Sequence, residues 1–281
     1  MALHREMVRA GHWLFRRRGY LPAILLALVL TQMQPMAGQP TEVPLAWPLL
    51  CFGVSLVGLA IRAYTVGHAA PGTSGRNRSG QVAAQLNTTG AYSVVRHPLY
   101  LGNAIIWLGP ALVPRIWWLV VLVGLICWLH YERIMLAEEE FLRAEFCRSF
   151  LDWAERTPAF LPAPRNWRPP SAPFNFRVVL RREYSGVFQL VLAFAVLNAR
   201  QWQLATGRWR LGPVWAGALA AGTVVAGSLR MLRKRTHLLE DRATAPDSEE
   251  TELPETKWPV RQSRTGQDVV AGDAGVPSRP T

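Results

Sequence analysis

The sequence predicts an all-α, polytopic membrane protein with about six transmembrane helices, a cytoplasmic amphipathic helix and a disordered C-terminal tail. Three observations predict it. Half of the 281 residues are hydrophobic although the formal net charge is +12, so apolar and basic residues are segregated along the chain. The apolar residues form six runs, near the roughly 17 to 25 residues a helix needs to cross a hydrocarbon core, where unpaired backbone groups are not tolerated. Arginine-rich stretches break these runs, among them Arg16, Arg17 and Arg18 near the start and Arg230, Arg233 and Arg235 after the last run. A basic soluble nucleic-acid binder would interleave its charges with amphipathic elements, so no nucleic-acid partner is expected.

The six runs are 20–37, 44–66, 99–113, 116–130, 185–199 and 213–229. Several are short, and neighbouring helices or a locally thinned bilayer must accommodate them. The first is followed at once by the second and reads as a retained anchor rather than a cleaved leader. Arg5, Arg9 and the triple arginine at 16–18 place the N-terminus in the cytoplasm, and an even number of spans returns 230–237 to the same side. The loops 68–97 and 131–184 then also face the cytoplasm. Arg200, Arg208 and Arg210 would lie outside, against the rule, so the last hairpin fits the topology least well. Pro114 and Arg115 make a tight turn, so the third and fourth spans form an antiparallel pair.

Beyond the fourth span, 131–153 carries Ile134, Phe141, Leu142, Phe146 and Phe150 near helical spacing, with Glu138, Glu139, Arg143 and Arg148 on other faces. An amphipathic helix follows. It is ended by "TPAFLPAP", 157–164, because closely spaced prolines cannot continue a helix. After Leu239 the chain is polar and rich in Pro, Gly, Ser, Thr and acidic residues, the composition of a disordered tail. The expected organisation is a membrane core over 1–165, an added hairpin over 166–238 and the tail over 239–281. Cys51, Cys127 and Cys147 have no metal-ligand spacing, and neither a disulfide framework nor a metal site is expected.

The chemistry concentrates at the cytoplasmic ends of spans three and four. In "GAYSVVRHPLYLGN", 90–103, Pro98 suits the first turn of a helix, so Arg96 and His97 sit at its mouth with Tyr100 and Asn103 about one turn inside. The Pro114 turn brings the start of span three and the end of span four to one bilayer face, where Arg96 and His97 can meet Arg133, Glu138 and Glu139. Taken singly, Arg96 and Arg133 read more readily as positive-inside arginines, His97 as a cap and the glutamates as a solvated face. Together on converging segments, cations, a titratable imidazole and carboxylates suit a zwitterionic ligand.

These residues resemble those of the isoprenylcysteine carboxyl methyltransferase and phospholipid methyltransferase superfamily of integral membrane enzymes. Its hallmark is similar to "GxYxxxRHPxYxGN", a hairpin, then "EExxLxxxFGxxYxxYxxxVPxFLP". Gly90, Tyr92, Arg96, His97, Pro98, Tyr100, Gly102 and Asn103 match the first half; Glu138, Glu139, Leu142, Phe146, Pro158, Phe160, Leu161 and Pro162 match the second. Cys147 stands at the usual glycine, Phe150 and Trp153 at tyrosines, and Thr157 at a valine. The resemblance covers 58–164.

What the resemblance implies is a methyltransferase using S-adenosylmethionine in a cytoplasm-facing pocket, roofed by the segment after the proline-rich end, with a lipidic acceptor entering from the bilayer. By position, the cofactor contacts are Ala84, Gln85, Leu86, Asn87, Tyr92, His97, Pro98, Leu99, Tyr100 and Glu138. The catalytic group is Arg133, Arg96 and Glu139. The family's substrate-side arginine falls on Ile134, and Arg133 beside it takes the expected role of holding an anionic acceptor, with Arg96 as its substitute. An amine acceptor would instead need a glutamate to accept a proton. The carboxylate, phosphate or amine nature of the acceptor stays open. Two rivals are weighed. A transporter or scaffold binding an anionic lipid would expect charged or glycine-broken positions near mid-membrane, and apart from Gly53, Gly58 and the glycines of the sixth run there are few. A nicotinamide-dependent membrane reductase lacks a GxGxxG turn.

Overall fold

A computed structural model describes residues 2–34, 44–70 and 85–235, with the side chains of the last helix described to 232. Among these residues the structure is helical, without strands: α1 (Ala2–Arg17), α2 (Leu21–Gln32), α3 (Ala46–Gly67), the short α4 (Ala91–Val94), α5 (Pro98–Leu112), α6 (Trp117–Ala154), α7 (Phe176–Thr206) and α8 (Pro213–Arg235). They belong to one compact unit. The tail expected over 239–281, residues 71–84 and the end of the first apolar run lie outside the described residues.

Local chemistry sets the ends. Prolines occupy the first turns of α2 and α5, where a missing N–H costs nothing. The Asn175 side chain accepts from Val178 N at 3.2 Å and caps α7, while Gly207, at φ 71°, closes its far end in the left-handed conformation.

Three helices, α3, α6 and α8 over Pro213–Leu232, are long and apolar enough to cross a membrane. With 12 and 15 residues, α2 and α5 extend only about 18 and 22 Å, short of a hydrocarbon core of about 30 Å. α7 exceeds the expected span 185–199, since it begins at Phe176 with about two charged turns that include Arg177, Arg181, Arg182 and Glu183. The N-terminal arginines also lie on a helix. α1 is amphipathic rather than apolar and so is no span; it buries Gly11 and Phe15 and leaves its arginines exposed. Gly11 lets it lie against the Arg133 carbonyl and Ala137 of α6.

The most extensive helix pairing, α3 with α5, runs through small residues. A Cβ at Gly58 would sit 2.5 Å from the Gly102 carbonyl oxygen and 2.7 Å from the Ile106 nitrogen, and one at Gly109 would strike Ser55. Ser55 Oγ donates to the Ile106 carbonyl at 2.8 Å. Lipid is as apolar as a leucine side chain, so close backbone approach and interhelical hydrogen bonds hold such helices together.

The fourth apolar run and the amphipathic segment form one helix, α6, interrupted at Cys147, whose φ of 47° and ψ of −115° are non-helical. Glycine adopts such a φ freely, whereas a Cβ there costs on the order of 1–3 kcal/mol. The residue that departs from the expected glycine thus keeps a backbone suited to one. Cys147→Gly is expected to stabilise the protein by about 1 kcal/mol, raising the thermal midpoint by about 2–4 °C. A lowered midpoint would show the helix to be unstrained at this residue.

Candidate active site

The site is built on the loop between α4 and α5. Gly90 turns the chain at φ 60° and ψ −132°, a conformation that favours glycine, and its N–H donates to the Arg168 carbonyl at 3.0 Å. Val95 is extended, and Pro98 then starts α5. The intervening N–H groups of Arg96 and His97 donate to the carbonyls of Pro158 at 2.8 Å and Ala159 at 3.3 Å, and Ala163 N donates to the Val94 carbonyl at 2.9 Å. The proline-rich segment is therefore a strap whose carbonyls satisfy the buried loop. On either side of the strap, Ser93 Oγ accepts from Arg168 N at 2.9 Å and Trp153 Nε1 donates to the Tyr92 carbonyl at 3.1 Å.

Four ionisable side chains meet under this strap. Arg96 Nε lies 2.9 Å from Glu139 Oε1, and its Nη1 donates to the Ala154 carbonyl at 2.8 Å. His97, only 5 % exposed, stands between two carboxylates, with Nε2 3.0 Å from Glu139 Oε1 and Nδ1 3.7 Å from Glu138 Oε2. Tyr100 hydrogen-bonds Glu138 and stacks on Tyr131 at 5.3 Å. Burial, reinforced by Glu138, raises the Tyr92 hydroxyl above the usual tyrosine range against the opposing pull of Arg182 and Arg62, so it remains a protonated donor.

Pro98 is buried and Leu99 half-buried at the start of α5, and Gln85, Leu86 and Asn87 lead into the Gly90 turn. Asn87 Oδ1 accepts from Ala70 N at 3.5 Å. Ala84 lies outside the described residues. Arg133 is the exception. Its guanidinium donates to the Leu129 carbonyl at 3.0 Å and lies 3.6 Å from Glu132, so it does not join Arg96, His97, Glu138 and Glu139. Five residues at about 100° each put Arg133 about 140° around the helix from Glu138, and that face turns to α1.

A second polar group adjoins the first and was not singled out from sequence. Arg62 of α3 pairs with Glu183 of α7 through Nη2 at 2.7 Å and Nε at 3.0 Å, and its Nη1 donates to Asn103 Oδ1 at 2.8 Å. Gly102 leaves the room this side chain needs, since a Cβ there would lie 2.7 Å from Arg62 Cγ. The signal was present: Arg62 is the lone charge in the run 44–66, and an ionisable residue inside an apolar span marks a functional site by default.

The family model of phospholipid methyltransferase matches residues 43–149, which hold α3, α4, α5 and most of α6. The matched stretch includes Arg62, Arg96, His97, Asn103, Glu138 and Glu139, and leaves out the strap, Glu183 and the last two helices. Two curated relatives are the nickel-cobalt-cadmium resistance protein NccN of Alcaligenes xylosoxydans xylosoxydans, 37% identical, and the cobalt-zinc-cadmium resistance protein CzcN of Cupriavidus metallidurans, 36% identical, each over 84 residues. Those alignments cover 30% of this chain and 39% and 38% of the relatives, so the chain spans under two-fifths of their length. No solved structure matches. Among the described residues no group of three or more His, Cys, Asp or Glu is arranged to hold a metal ion.

Proposed function

We propose that the protein transfers a methyl group from S-adenosylmethionine to a lipidic acceptor at the cytoplasmic face of a membrane. The observation that carries this reading is buried His97 set between Glu138 and Glu139 with Arg96 beside them, inside the stretch that the phospholipid methyltransferase family model matches. The donor set fits the cofactor in kind: carboxylates for a cationic group, a guanidinium for an anionic one and tyrosine rings beside both. S-adenosylmethionine, when bound, supplies an electrophilic methyl group on sulfur. Glu138 would hold its cationic part, and Gln85, Leu86, Asn87, Tyr92, Pro98 and Leu99 would border it.

A carboxylate or phosphate acceptor arrives already anionic, so positioning outweighs proton abstraction. Arg96 is the cation that faces the cluster and holds such an acceptor; for an amine acceptor Glu139 accepts the proton. Arg133→Lys is therefore expected to keep wild-type turnover, whereas Arg96→Lys, which loses the planar fork, should cut kcat on an anionic acceptor at least about tenfold. Loss of turnover in Arg133→Lys alone would return the acceptor role to Arg133.

The reading keeps six spans with both termini inside, supported by the arginine distribution. Cysteines introduced at Ser79 and Ser248 should both label from the cytoplasmic side, and opposite sidedness would remove the last hairpin from this topology. The decisive experiment incubates the purified full chain with methyl-labelled S-adenosylmethionine and total membrane lipid. A labelled lipid is expected, and its head group names the acceptor. Tight lipid binding without label would favour the scaffold reading instead.

A further inference from the structure

Glu183 is supplied by α7, which lies wholly outside the stretch that the phospholipid methyltransferase family model matches. Its side chain is 5% exposed and that of Arg62 19% exposed, so both charges are largely removed from solvent. Every guanidinium nitrogen of Arg62 is engaged: two on Glu183 and the third on Asn103. Asn103 in turn hydrogen-bonds Tyr131, whose ring stacks on Tyr100, and Tyr100 reaches Glu138 beside His97. Contacts therefore run without a break from the C-terminal hairpin to the buried histidine.

An ion pair is a poor device if its only task is to join two helices. Burying both charges costs free energy that the pairing barely offsets, and an apolar pair of similar volume holds helices together as well. What an apolar pair cannot do is aim a hydrogen-bond donor. A bidentate carboxylate fixes the plane of the guanidinium, and that plane directs Nη1 at Asn103. The stem of Arg62 reaches α5 only through the gap at Gly102, so the helix contact and the aim of the side chain are set together.

Asn103 lies six residues beyond His97 on α5, about 9 Å further along the helix and away from its mouth. The cofactor end of the proposed site is at His97 and Glu138; a lipid acceptor approaches from the apolar side, where Asn103 and Tyr131 stand. We infer that Glu183 is a positioning residue for methyl transfer: by fixing Arg62 it holds Asn103 and Tyr131 at the acceptor end, which makes the C-terminal hairpin part of the catalytic unit. This rests on the methyltransferase reading above.

The test uses the full-length protein in detergent or vesicles, with three readouts: S-adenosylmethionine affinity by calorimetry, kcat on labelled membrane lipid, and the thermal midpoint. Glu183→Gln is expected to keep cofactor affinity within about twofold and to lower kcat at least about tenfold, the mark of lost acceptor alignment rather than lost cofactor binding. The exchanged double variant, Arg62→Glu with Glu183→Arg, is expected to recover the thermal midpoint and leave kcat low, because the guanidinium then hangs from α7 and no longer aims at Asn103. Wild-type kcat in Glu183→Gln, or recovery of both midpoint and kcat in the exchanged variant, overturns the inference and leaves the pair a strut. Wild-type protein that neither binds S-adenosylmethionine nor labels lipid overturns the methyltransferase reading and this inference with it.

Discussion

Glu138→Gln should weaken S-adenosylmethionine binding by about ten- to a hundredfold while the protein stays folded. A hydrogen bond to a charged group contributes about 1.5–3 kcal/mol, and each 1.4 kcal/mol is a factor of about ten in affinity. Glutamine keeps the shape of the side chain and an oxygen acceptor for the Tyr100 hydroxyl, so the loss isolates the charge. His97→Ala should be at least as damaging by a different route. His97 separates Glu138 from Glu139 and reaches both; without it, two carboxylates face a cavity with Arg96 as the cation beside Glu139. Calorimetry on both variants, with helicity measured alongside, is the check. Unchanged affinity in the two together removes the cofactor from this cluster.

Gly58→Val carries the second large expected effect. The new side chain would meet the Gly102 carbonyl and the Ile106 nitrogen, both backbone atoms of α5, so the helices themselves must separate. Overpacking of this kind costs about 1–3 kcal/mol, and more where backbone rather than a flexible side chain stands in the way. Separation also carries Arg62 away from Asn103, because both flank the same crossing. Turnover should therefore fall along with stability. Gly53→Ala on the same helix is the control, since nothing stands within 4 Å of a Cβ there, and it should be neutral or slightly stabilising. Equal behaviour of the two variants would show that α3 and α5 do not meet as described.

The meeting of Arg96 and His97 with Glu138 and Glu139 was legible from sequence because it depends on one short turn. Pro114 and Arg115 fold α5 back against α6, and helical spacing from that turn brings both charged stations to the same end. Arg133 took its expected role from the resemblance, one residue from the family position, and in the structure it reaches Leu129 and Glu132 on the face that α1 packs against. α1 escaped notice since its apolar residues form a stripe rather than a run, and a criterion of continuous apolarity passes over it.

By itself the sequence determined the helical class, the apolar runs and the motif residues, since each is a property of one segment and its immediate neighbours. Tertiary structure alone decided which faces meet. Gly53 and Gly58 look alike in the run 44–66, yet Gly58 lies in a helix crossing and Gly53 has nothing near it. Arg62 and Glu183 stand 121 residues apart and pair because α3 and α7 pack side by side. The reason is physical: in lipid nearly every face of a span is apolar, so hydrophobic periodicity does not say which face turns inward. That choice is made by small residues, hydrogen bonds and charge pairs contributed from distant parts of the chain.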